Sequence, residues 1–99
     1  MLFNDPFEYY QAIANELMQI IEEPWTSVEV EAVLFEDSID LLVAYFRHDG
    51  SRESNVDVVM LDEYFYELAK VVSTEEKGLY KKCNFVLKSD GKFDVDFEY

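Results

Sequence analysis

Cys83, Phe85 and Leu87 recur at every second position, and so do Phe93, Val95 and Phe97. Period-two recurrence of apolar residues marks a strand with one buried face. The two runs are joined through Lys88-Ser89-Asp90-Gly91-Lys92, and only certain loop lengths keep both apolar sets on one face of a hairpin. A two-residue Asp90-Gly91 turn would set Leu87 opposite Asp94. A three-residue loop, Ser89-Asp90-Gly91, sets Leu87 opposite Phe93 and Phe85 opposite Val95. The spacing therefore predicts strands over Leu79 to Lys88 and Phe93 to Tyr99. Gly91 is expected at the left-handed position of a bulged turn, where glycine fits best.

The rest of the chain supplies partners for this hairpin. Asp5-Pro6-Phe7-Glu8 reads as a helix start, with Asp5 as cap, Pro6 in the first turn and Glu8 closing a capping box. Phe7, Tyr10, Ala14, Leu17 and Ile21 follow at helical spacing, and Pro24 ends the segment. Trp25 to Phe35 alternates, with Val28, Val30, Ala32 and Leu34 opposed to Glu29 and Glu31. Ile39 to Arg47 carries Leu41, Val43 and Tyr45 on one side and Leu42, Ala44 and Phe46 on the other, the pattern of a central strand. His48-Asp49-Gly50-Ser51 is a turn, and a weaker third strand is expected from about Arg52 to Met60. A second helix from about Asp62 to Val72 would bury Leu61, Phe65, Leu68 and Val72, with Asp62 as its cap. The expected fold is α+β: one domain, 1–99, ordered α-β-β-β-α-β-β, with a single antiparallel sheet and two helices packed on one face. The other face is then open to solvent or to a partner.

The charge balance narrows what a partner can be. Twenty-two acidic residues oppose eight basic ones, a formal net charge of −14. Residues 1 to 46 hold ten acids and no Lys or Arg. A small domain needs a net charge of only about 2–8 for solubility, and the excess strains the compact state by self-repulsion. Such a field repels nucleic acid and anionic membranes and attracts cationic proteins. No apolar run approaches the ~20 residues that span a bilayer, and the N-terminal residues do not read as a signal peptide, so a cytoplasmic location is expected. One cysteine, Cys83, excludes an internal disulfide and argues against a zinc site.

No catalytic constellation stands out. His48 beside Asp49 has the elements of an acid–base pair, but it falls in a hairpin turn and reads as an ordinary turn residue. Cys83 alternates with core residues and reads as a buried thiol. Asp94, Asp96 and Glu98 share one strand face about 7 Å apart, which is too open a set for a calcium or magnesium cage. The alternatives left for that row are a solvated face or a surface for cationic groups. The chain holds no phosphate loop, nucleophile elbow or basic patch. The expectation is a non-enzyme without metal or cofactor.

Trp25 at the start of a strand, Tyr45-Phe46-Arg47 running into Asp49-Gly50, and Phe85-Val86-Leu87-Lys88-Ser89-Asp90-Gly91-Lys92-Phe93 through Phe97-Glu98-Tyr99 resemble the YezG-like bacterial immunity proteins. The resemblance runs from Trp25 to Tyr99 in order and spacing and is specific only in the last fifteen residues. It implies a toxin-neutralising antitoxin whose partner is a cognate toxin domain, often a nuclease, and it assigns no binding residues. The charge field agrees, because many nuclease toxins must be cationic to grip phosphate backbones. An acidic secretion chaperone and a DNA-mimicking regulator are the alternatives. The expected binding residues are Glu29, Glu31, Asp40, Asp94, Asp96 and Glu98, with no nucleic acid or membrane partner and a monomeric or weakly dimeric state.

Overall fold

A computed structural model describes residues 3, 5–36, 38–54, 56, 58, 61–73 and 78–99. Helix α1 spans Pro6–Ile20, β1 Ser27–Leu34, β2 Ile39–Phe46, β3 Arg52–Glu53, α2 Leu61–Val72, β4 Lys82–Lys88 and β5 Phe93–Glu98. The strands form one sheet in the order β3-β2-β1-β4-β5, and every neighbouring pair is antiparallel. The α+β order and topology are those the sequence predicts.

The alternation decides which face each strand buries. Val28, Val30 and Ala32 of β1, Val43 and Tyr45 of β2, and Cys83, Phe85 and Leu87 of β4 all turn to the helix side, where each is at most 7% exposed. Tyr9, Ile13, Ala14 and Leu17 of α1 and Leu61, Phe65, Leu68 and Ala69 of α2 close this core from above. Rings carry much of the contact: Phe65 meets Phe85 edge-on at 6.2 Å, and Phe85 stacks on Phe93 at 5.6 Å. The Tyr80 hydroxyl, buried beside them, donates to the Phe65 carbonyl. Burial holds the phenol in its neutral form by raising its pKa.

The hairpin register is the predicted one: Leu87 faces Phe93, Phe85 faces Val95 and Cys83 faces Phe97. Lys88 N–H donates to Lys92 O at 2.7 Å, and Gly91 N–H donates back to Lys88 O at 2.9 Å. Gly91 sits at φ +91°, as the three-residue loop requires. The β2–β3 turn repeats the device one hairpin earlier. Arg47 N–H donates to Ser51 O, Gly50 N–H to Arg47 O, and Gly50 lies at φ +87°. In both loops the aspartate before the glycine accepts the amide two residues on, Asp49 from Ser51 and Asp90 from Lys92.

Several local expectations need correction. Asp5 caps α1 through the Phe7 amide at 2.8 Å, without the return bond from Glu8 that would make a capping box. The stripe of α1 is rotated: Tyr9 and Ile13 are fully buried, while Phe7 is 55% exposed against the Phe93 ring. Phe7 belongs to the helical period, but it lies where the sheet is ending, and among the described residues only the Phe93 ring is shown against it. β2 is not the central strand. It lies between β1 and the two-residue β3, and β1 is central. Its second apolar side does not mark burial, because Leu42 is 66% exposed. The third strand is much shorter than Arg52 to Met60, and 55, 57, 59 and 60 lie outside the described residues. Asp62 is the second residue of α2, with its carboxylate on the Glu63 amide, and is not a cap. β4 starts at Lys82, since Leu79 is exposed and Tyr80 turns into the core.

Candidate functional site

Because the helices cover one face of the sheet, every residue that alternates with the core lies on the other. All six predicted carboxylates fall there. Cross-strand pairing arranges them in rows. One row runs Ala44, Glu29, Val86, Asp94; the next Leu42, Glu31, Asn84, Asp96; the third Asp40, Val33, Lys82, Glu98. Strands lie about 4.8 Å apart, so Glu29 and Asp94 stand roughly 10 Å apart in their row, as do Glu31 and Asp96 in theirs.

Among the described strand residues the cations on this face are Arg52, Lys82 and Lys88, with Lys92 opposite Lys88 at the hairpin loop, still fewer than the carboxylates. Lys82 bridges two of them, Glu31 at 3.1 Å and Glu98 at 3.8 Å. Chiefly through Glu31, these hold its ammonium more firmly protonated than usual. Asn84 adds a 3.4 Å bond to Glu98. Glu29, Asp40, Asp94 and Asp96 make no ion pair with a described residue. The structure thus brings the six together on one face and neutralises part of the group.

Between the rows lies a groove of about 230 Å³, walled by Glu29, Glu31, Leu42, Ala44, Arg52, Asn84 and Val86. Sequence reasoning missed this apolar floor. Leu42 read as a core residue because it sits in a strand apolar on both sides, whereas it is the most exposed large apolar residue described.

A second polar cluster also escaped the sequence. Glu23, just after α1, accepts Arg47 Nε at 2.6 Å and Nη2 at 3.0 Å, together with the Tyr45 hydroxyl. Arg47 also reaches Glu53 at 3.3 Å and Ser51 Oγ at 3.2 Å, with its guanidinium 5.4 Å from the Tyr45 ring centre. Arg47 first and Tyr45 second hold the Glu23 carboxyl below its ordinary pKa, and the same carboxylate raises that of Tyr45. The one signal in the sequence is that Arg47 is the first cation after 46 residues without one. The cluster pins the end of α1 to β2 and β3 and leaves Arg47 little freedom to act on a ligand.

His48 lies exposed in its turn. Cys83 is fully buried, and burial first, with the Asp96 field second, pushes its thiol up to about 12. Among the described residues no three His, Cys, Asp or Glu side chains are grouped to hold a metal ion, and no helix is long and apolar enough to cross a membrane. No protein-family model matches the chain, and no curated protein matches it as a relative.

Proposed function

We propose that the protein is an immunity protein: a cytoplasmic, non-enzymatic inhibitor that binds and neutralises a cationic bacterial toxin, such as a nuclease. The supporting observation is the convergence of Glu29, Glu31, Asp40, Asp94, Asp96 and Glu98 on the one sheet face the helices leave open. At its middle, Leu42, Ala44 and Val86 wall an apolar groove with carboxylates around it. An apolar centre within a polar rim is the usual anatomy of a protein interface. An opposing charge field speeds encounter and excludes wrong partners, which an inhibitor of a lethal activity needs.

The test is co-expression with the C-terminal domain encoded immediately upstream. Growth should be arrested by that domain alone and restored by this protein. With the purified pair, Glu29→Gln with Glu31→Gln, or Asp94→Asn with Asp96→Asn and Glu98→Gln, should slow association several-fold at low salt and flatten its salt dependence. Unchanged rates in both variants would place binding on the loops or helices, and no rescue of growth would remove the immunity reading.

A further inference from the structure

β5 ends the sheet. It pairs with β4 on one side, and no described strand pairs with the other. Two bonds fix which of its amides face outward. Ser89 N–H donates to Thr26 O at 3.0 Å, so the odd-numbered residues of β4 bond towards β1. Lys88 N–H donates to Lys92 O, so its even-numbered residues bond towards β5. Alternation then turns the amides of Asp94, Asp96 and Glu98 to β4 and those of Phe93, Val95 and Phe97 outward. This outward row is a template for a further strand.

The two faces of the edge specify what that strand carries. On the helix side Phe93, Val95 and Phe97 are only half-buried. Phe7 beside Phe93 and Tyr99 beside Phe97 are 55% and 37% exposed, so the apolar layer continues to the rim of the sheet uncovered. On the opposite side stand Asp94, Asp96 and Glu98, of which only Glu98 meets a cation among the described residues.

A second copy is the wrong occupant. A twofold that pairs two β5 edges and keeps like faces together must pass through a residue position. At Asp94 or Asp96 it sets that carboxylate against its own copy. At Val95 it sets Asp94 against Asp96, and at Phe97 it sets Asp96 against Glu98; at Phe93 Lys92 would meet Asp94, but only Phe93 to Val95 of each β5 overlap before the hairpin loop is reached. Like charges directly opposite destabilise a strand pair.

We propose that the β5 edge captures its partner by strand addition, and that the added strand alternates basic and apolar residues. The basic side chains lie over Asp94, Asp96 and Glu98, and the apolar ones extend the row of Phe93, Val95 and Phe97. The proposal rests on the cationic-partner reading above and says how that partner is held.

An eight-residue peptide alternating lysine and valine is the probe, with a peptide of the same composition in two blocks as control. The alternating peptide should slow hydrogen exchange at the Phe93, Val95 and Phe97 amides at least ten-fold and bind at least ten-fold more tightly than the block peptide. Val95→Pro removes an outward amide and no bond to β4, and should weaken binding ten-fold. Asp94→Lys with Asp96→Lys should abolish binding of the lysine peptide and create binding of a glutamate–valine one. Equal binding of the two lysine peptides, or unprotected outward amides, overturns the proposal. Protection confined to β1 and β2 overturns it too, while leaving the cationic-partner reading intact. Edge binding by a protein that fails the growth test upholds the strand addition and removes the immunity reading.

Discussion

Arg47 makes four side-chain hydrogen bonds and is the residue on which one end of the sheet is tied. Its pairing with Glu23 has a pH signature. The Glu23 carboxyl is held below its ordinary value of 4.5, so its stabilisation is present above that pH and is lost as the pH falls through the lower folded value. The stability gap between wild type and Glu23→Gln should be constant near neutrality and narrow below about pH 4.5. Denaturant midpoints across that range check it, and a gap that widens in acid would contradict it. Cys83 makes a second prediction. A fully buried thiol pushed up to about 12 should resist a water-soluble thiol reagent in the native protein and react fully once urea unfolds it. At Gly91 a Cβ would meet nothing within 4 Å, so Gly91→Ala tests backbone strain alone. It should cost about 1 kcal/mol in urea unfolding, from the left-handed conformation.

At the scale of elements, the strands were the readable part. Face parity in Cys83 to Phe97 has one solution, and it gave loop length, register and the sign of φ at Gly91 together. The same parity put all six carboxylates on one face before any strand order was known, since alternation with the core is a local property. Two things were not readable. Leu42 and Phe7 have the spacing of core residues, and periodicity cannot say where covering elements stop. The Glu23–Arg47 cluster joins residues 24 apart, and nothing local records that contact. Phe85 is where both helices and the hairpin meet, touching Tyr10, Phe65 and Phe93. Phe85→Ala should therefore cost about 3–5 kcal/mol, at the upper end for a core truncation. Leu42→Ala, on the open face, should change stability by less than about 1 kcal/mol. The two unfolding curves distinguish a covered strand position from an uncovered one.

For the whole molecule, a net charge of −14 on 99 residues is a standing repulsion that few ion pairs offset. Raising sodium chloride from about 10 mM to 200 mM shortens the screening length from roughly 30 Å to under 10 Å. The thermal midpoint should rise with it, and a flat or falling midpoint would mean that local bonds already balance the charge. The strand order has a kinetic consequence of its own. β1 meets β2 across a short turn, but its other neighbour comes from far along the chain: Val28 finds Leu87, 59 residues later. Closing so long a loop loses chain entropy before it gains contacts, so this pairing is expected to be the slow one. Truncations at the β1–β4 seam should therefore chiefly lower the folding arm of the chevron, and a change confined to the unfolding arm would contradict it. Until that seam closes, the strand that ends up central is itself an edge, with Val28, Val30 and Ala32 lacking the partners that cover them in the folded sheet.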